Sequence, residues 1–287
     1  MKSRGLRAIG AFAAIATGVT VTSGAAAQLL APAETDQPPP KPPPAFLPRS
    51  SGTFWIDLSL QNTLLRVEGP GGQRTTEGGL ASLEIASTFN VRSLEISSLL
   101  AGAIGGGGGS GGGGVEGEFR LDDRIGVRGY FGEQHGPFLR AGATIRILAY
   151  PTFSFHYLGG IGEAGYQFID KHFGFELGAL GGGAVSTVTP AATPLPLLGA
   201  FASMTSRPAV LRMEWEHFGP QGVSPFDYVA GSGCVVVHRF IPLCLTQWSL
   251  LAGGGGGHAT YMGLSIGLGG GFTGTTREGD RPPEPTR

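Results

Sequence analysis

The sequence predicts an all-β fold, an antiparallel up-and-down transmembrane β-barrel of about 12 strands, within a range of about 10 to 14. Three observations predict it. Apolar and polar residues alternate with period two through most of the chain, as they do where successive side chains point to opposite faces of a strand. No apolar run is long enough for a spanning helix, which needs about 20 residues, so an exported chain that enters a membrane must do so as a closed barrel. Aromatic residues gather at the predicted strand ends, where an interfacial belt would sit.

The N-terminus predicts export. Lys2, Arg4 and Arg7 precede an apolar, small-residue stretch from Ala8 to Val21, and Ala25-Ala26-Ala27 offers a small-x-small cleavage site. Residues 1–27 read as a signal peptide cleaved after Ala27. Residues 28–51 read as a periplasmic linker, since Pro38 to Pro44, broken only by Lys41, favours a stiff extended spacer. Residues 52–272 are the expected barrel. Residues 273–287, with Arg277, Glu278, Asp280 and Arg281 among prolines, read as a disordered polar tail. Removing the signal leaves 17 bases against 21 acids, a balance that excludes nucleic-acid binding as a function class. Only 14% of residues are charged and 52 of 287 are Gly, without the strict triplet period of collagen. Such Gly suits curving strands.

The clearest strand runs from Val115 to Phe131. Val115, Phe119, Leu121, Ile125 and Val127 share one face, and Glu116, Glu118, Arg120, Asp122, Arg124 and Arg128 share the other. Asp123 alone breaks the apolar face. Either one long strand or a three-residue loop at Asp122–Arg124 preserves the phase. The same alternation marks strands at 53–67, 79–89, 92–104, 137–149, 153–168, 172–187, 196–205, 208–217, 228–239, 242–252 and 258–272. Together these make an even count with both ends on the periplasmic side. The longer linkers, including 68–78, 105–114, 188–195 and 218–227, then fall outside the cell, and mostly short turns fall inside. Phe54, Phe89, Phe131, Phe168, Phe173, Phe240 and Phe272 form the expected periplasmic aromatic girdle. Tyr150, Phe153, Trp215, Phe218 and Tyr228 form the opposite one.

Inward faces carry the chemistry. Glu84, Glu95, Glu116, Glu118, Asp122, Glu163, Glu176, Glu214 and Glu216 are expected to share a lumen with Arg120, Arg124, Arg128, Arg140, Arg146 and Arg212. They would either line an ion- or solute-selective pore or pair to fill a narrow interior. Cys234 and Cys244 are symmetric about Arg239, and a three-residue turn from His238 to Phe240 would set them opposite each other. An oxidising compartment then favours a disulfide. In mid-strand, Ile145→Arg is expected to be costly on the lipid face and Thr144→Arg to be better tolerated in the lumen.

Catalytic and metal motifs are not legible. The Gly105–Gly114 and Gly253–Gly257 runs lack the Lys-Ser/Thr ending of a phosphate loop. The six histidines show no metal-ligand spacing. Ser154 and His156 are only a Ser and a His two residues apart, so no enzyme activity, catalytic residue, metal or cofactor is expected.

In its leader, alternation, loop asymmetry and girdles, the chain resembles the small outer-membrane barrels of Gram-negative bacteria, the porin-like and OmpA-like group. The likeness covers residues 52–272 and rests on no family motif. It implies an outer-membrane location, contact with outer-membrane lipid, and one of two roles. The first is a structural or partner-bound subunit of an envelope assembly of the motility or secretion type, contacted through the Pro-rich arm. The second is a small-solute channel. A secreted soluble β-sandwich would show the same alternation with its apolar face buried. Barrels of this group often end on an aromatic residue, whereas here fifteen residues follow Phe272.

Overall fold

The computed structural model describes residues 50–110, 112–129, 135–151, 153–186, 195–219, 225–253 and 257–276. The expected signal peptide, most of the Pro-rich linker, Phe131 and the end of the tail lie outside the described residues.

Twelve antiparallel strands close into one barrel, each paired with its sequence neighbours and β1 paired with β12. In chain order they are β1 (Ser50–Gly69), β2 (Gly72–Val91), β3 (Leu94–Gly109), β4 (Gly114–Arg128), β5 (His135–Tyr150), β6 (Phe153–Ile169), β7 (Phe173–Ser186), β8 (Leu195–Ser206), β9 (Ala209–Phe218), β10 (Phe226–His238), β11 (Ile241–Ala252) and β12 (His258–Thr276). The closing ladder runs unbroken from Ser50↔Thr276 to Glu68↔His258. Closure removes every sheet edge, so each backbone group in the wall finds a partner without water. The barrel therefore starts two residues before its expected bound and ends four residues beyond it.

The two faces of this wall differ in kind. Outward positions carry exposed apolar side chains all around the barrel, with Leu60 70% and Val115 73% exposed. Isolated soluble chains rarely expose apolar patches beyond a few hundred Å². An apolar belt round a closed barrel is instead a surface made for lipid. Inward positions are buried and largely polar. Strand β4 is a single strand across Asp122, Asp123 and Arg124, so the three-residue loop does not form. Asp123 faces outward and accepts a hydrogen bond from Ser98 Oγ at 2.6 Å, which partly satisfies the one acid in that face.

Three details depart from the sequence reading. Segment 68–78 is mostly strand: β1 and β2 continue to a two-residue turn at Pro70-Gly71, and Gly72 adopts φ +94°, a left-handed value that a side chain would oppose. Alternation is lost there because much of this part of the hairpin is exposed on both faces, as expected beyond an apolar band. The β10–β11 turn is Arg239-Phe240, and Val237 bulges out, so Ile241 pairs with His238 instead of Val237. The bulge absorbs one residue and leaves Cys234 opposite Cys244. The β2–β3 turn is Arg92-Ser93, two residues beyond its expected place, with Arg92 at φ 54°.

One end of the barrel holds Ser50 and Thr276, the first residue of β1 and the last of β12, and is hereafter the terminus end; the other is the loop end. Phe54, Phe89, Phe168, Phe173, Phe240 and Phe272 all lie at the terminus end. Phe54 pairs with Ser87, and Phe168 and Phe173 pack at 5.1 Å. The opposite girdle is a correction. Tyr150, Phe218 and Tyr228 are buried inside the barrel, and of this set only Trp215 is seen to face outward, the Phe153 side chain not being described. Register explains it: Tyr150 has the parity of Arg140 and Arg146, and Phe218 that of Glu214 and Glu216.

Candidate functional site: a charged chamber inside the barrel

The interior is layered along its axis. Near the terminus end the lumen is crossed by a polar lattice. Arg140 on β5 reaches Glu95 on β3 at 2.8 Å, Glu176 on β7 at 3.1 Å, and Glu163 on β6. Its guanidinium also lies 4.3 Å from the Phe138 ring centre. Glu176 accepts from Gln167 Nε2. The Asn90 amide sits between Glu95 and Arg128; with its nitrogen toward Glu95 Oε2 (2.9 Å) and its oxygen toward Arg128 Nη1 (3.1 Å), both are satisfied. Arg124 joins the lattice through Glu163 at 3.0 Å.

The middle layer spans the barrel. Arg120 on β4 grips Glu214 on β9 through two nitrogens, at 2.7 and 2.5 Å, from nearly the opposite wall. Arg120 Nε also holds Asp122 at 2.6 Å, and Thr144 Oγ1 donates to the same carboxylate. Arg146 meets Glu214 at 2.6 Å and Glu216 at 3.5 Å, and stacks 4.1 Å from the Tyr228 ring centre. Arg212 on β9 pairs with Glu84 on β2. Paired in this way, the charges tolerate a low-dielectric interior that would exclude them singly.

The loop end is closed by aromatic side chains. Trp248 stacks on Tyr261 at 5.3 Å, and Phe218 on Phe226 at 4.5 Å. Phe155 meets both phenylalanines edge-on. Polar atoms at its inner face connect to the middle layer: Tyr157 donates to Glu216 at 2.8 Å, and Trp248 Nε1 to Glu118 at 2.9 Å, while Tyr150 also donates to Glu118.

A cavity of about 270 Å³ remains within the barrel. Arg120, Arg212, Glu84 and Glu214 line it, as do hydroxyls such as Ser59 and Ser203. The structure thus brings together Glu84, Glu95, Glu118, Asp122, Glu163, Glu176, Glu214 and Glu216 with Arg120, Arg124, Arg128, Arg140, Arg146 and Arg212. Glu116 also points inward but joins no arginine among the described residues. The sequence reading of the lumen left out Asp57, a buried inward acid on β1 that donor Ser59 caps at 2.9 Å. It shares parity with Ser59 and Gln61, which is the signal that locates it.

Cys234 and Cys244 form a disulfide with S–S 2.08 Å, facing the chamber beside Trp55 and Val210. Asp57 Oδ2 lies 3.8 Å from Cys244 Sγ, a contact only, since a disulfide sulfur carries no hydrogen. Thr144 is buried and donates to Asp122. Ser154 Oγ and His156 Nε2 are 3.0 Å apart, but both residues have outward parity, away from the chamber.

The fold and its two faces define the class: a membrane-spanning β-barrel of the outer-membrane type, with a charged interior. No protein-family model matches the chain, and no curated protein sequence does either. Several solved structures are similar to it at a low level. An outer membrane channel from Pseudomonas putida F1 has a TM-score of 0.41 at 11% identity, over 80% of this chain and 99% of that one. The outer membrane protein opdK from Pseudomonas aeruginosa has 0.35 at 8%, over 79% and 100%. An anion-selective porin from Comamonas acidovorans has 0.33 at 8%, over 78% and 100%. Likeness of this degree is too low to bear on function, which has to be read from the chain's own interior.

Proposed function

We propose that this protein is a narrow outer-membrane channel for small polar solutes or ions, held in an occluded state by its own side chains, with the termini in the periplasm. The observation that carries this reading is the chamber: a cavity midway along a closed barrel, with charges of both signs in its wall. Buried ion pairs contribute little net stability compared with well-packed apolar residues. Ionisable residues inside a membrane protein more often mark a solute or ion path. Only side chains close the two ends among the described residues, and side chains move without unfolding the wall. Among the described residues inward acids outnumber inward arginines, so the path should prefer cations.

The aromatic closure supports a second reading, a sealed barrel that serves an envelope assembly through its ends. Planar-bilayer recording separates the two. The channel reading expects discrete, small, cation-preferring conductance steps from the purified wild-type barrel. A bilayer that stays silent, with correctly folded barrel inserted, contradicts it and leaves the sealed barrel.

A further inference from the structure

Two acids stand side by side on one wall of the chamber. Asp57 on β1 and Glu84 on β2 are direct cross-strand partners on the inward face. Two residues along, Ser59 and Ser82 are partners in the same way. All four residues line the cavity. Ser59 Oγ donates to Asp57 Oδ2 at 2.9 Å and lies 2.8 Å from Ser82 Oγ. On the other flank Asp57 faces Gly269 and Ser59 faces Gly267, so β12 sets no side chain directly beside them.

Like charges directly opposite each other on paired strands repel. Arg212 relieves Glu84, donating to its Oε1 from β9. Nothing equivalent serves Asp57. That residue is 5% exposed, its Oδ1 is buried without a hydrogen-bond partner, and no base among the described residues pairs with it. The next inward residue on β1, Trp55, does not help, since its Nε1 makes no hydrogen bond. A buried carboxylate without a counter-charge is strongly unfavourable. Asp57, Glu84 and Arg212 together leave the patch one positive charge short.

We propose that Asp57, Glu84, Ser59 and Ser82 form a binding site for a monovalent alkali-metal cation on the chamber wall. Directly opposed residues have Cβ atoms about 4.5–5.5 Å apart, so both carboxylates can reach one small ion. Each hydroxyl keeps a lone pair to offer it. The donor set is all oxygen, which suits hard cations and selects against metals that favour nitrogen or sulfur. Charge chooses the valence. A single positive charge makes the patch neutral, whereas a divalent ion would leave an excess charge in a low-dielectric interior. As a resting place on a conduction path the site rests on the channel reading; as an equilibrium site it does not, because a sealed barrel would hold the ion equally.

The test is sodium NMR of the refolded full chain in a non-ionic detergent at neutral pH. NaCl is titrated in while choline chloride holds the ionic strength constant. The wild-type barrel should broaden the sodium resonance with a saturable component, and KCl should compete it away. Asp57→Asn, which keeps the shape and removes the unpaired charge, should weaken binding at least about tenfold. Ser59→Ala should weaken it by a smaller factor. Asp123→Asn, at an acid on the outward face of β4, should leave it unchanged. Folding of each variant is checked by its heat-dependent shift on a gel. A barrel that binds sodium but gives a silent bilayer keeps the site and loses the channel reading. The site itself is overturned if the wild-type barrel shows no saturable broadening, which makes Asp57 a neutral, protonated acid, or if folded Asp57→Asn binds as tightly as wild type.

Discussion

Replacing Arg140 with methionine removes the hub of the terminus-end lattice. One guanidinium there serves Glu95, Glu163 and Glu176. Methionine keeps most of the side-chain length and its contact with Phe138 but supplies no charge. Glu95 is fully buried and the other two carboxylates nearly so, hence water cannot replace what is lost. Removing one partner of a buried pair costs about 3–5 kcal/mol, and three acids share this one base, so the upper part of that range is expected. The Arg212–Glu84 pair makes the comparison, because both of its side chains are partly open to solvent. For such a pair the loss is about 1 kcal/mol or less. Urea unfolding in lipid vesicles, followed by tryptophan fluorescence, measures both. Arg140→Met should lose at least about 2 kcal/mol more than Arg212→Met, and Arg140→Met with Glu163→Gln should recover part of it. Equal losses for the two single variants, within about 0.5 kcal/mol, would refute the assignment of a desolvated hub.

Three other outcomes are expected. Ile145→Arg, on the outward face of β5, should cost about 2–4 kcal/mol in vesicles, and folding as stable as wild type would argue against a lipid-facing wall there. Removing the Cys234–Cys244 bridge by a double serine substitution should lower stability by at most about 3 kcal/mol, given the short loop it closes, and non-reduced peptide mass spectrometry should find the two cysteines linked in the native chain. Trp248→Ala opens the aromatic closure next to Tyr261 and should raise single-channel conductance, while a current equal to wild type would place the constriction elsewhere.

The wall of this barrel was legible in the sequence because one physical rule, apolar outside and polar inside, acts on every strand. Strand bounds agree to within a few residues wherever alternation is sharp, as in β4 and β5. They fail at segment 68–78, where much of the hairpin is solvated on both faces and carries no alternation. The cysteine pairing was legible from symmetry about Arg239, although the turn itself was not, since nothing in the sequence signals the bulge at Val237. The aromatic closure was misread because an aromatic residue at a strand end fits either an interfacial belt or the interior. Parity with nearby charges decides between them: Tyr157 follows Glu163, and Phe218 follows Glu216. Contacts across the lumen, such as Arg120 with Glu214 or Glu116 with Thr63, depend on the stagger of the closed barrel. No spacing along the chain encodes that stagger visibly.

The inside-out assignment has a direct test in the three tryptophans of the chain. Trp55 and Trp248 face the interior, at 0% and 2% exposure, whereas Trp215 faces outward at 44%. Variants retaining one tryptophan each, the others changed to phenylalanine, are refolded into vesicles whose acyl chains carry bromine, a contact quencher of indole fluorescence. Trp215 should be strongly quenched, and Trp55 and Trp248 should keep nearly the emission they show in unbrominated lipid. Quenching of Trp248 as strong as that of Trp215 would contradict a lipid-facing wall around a side-chain-filled lumen.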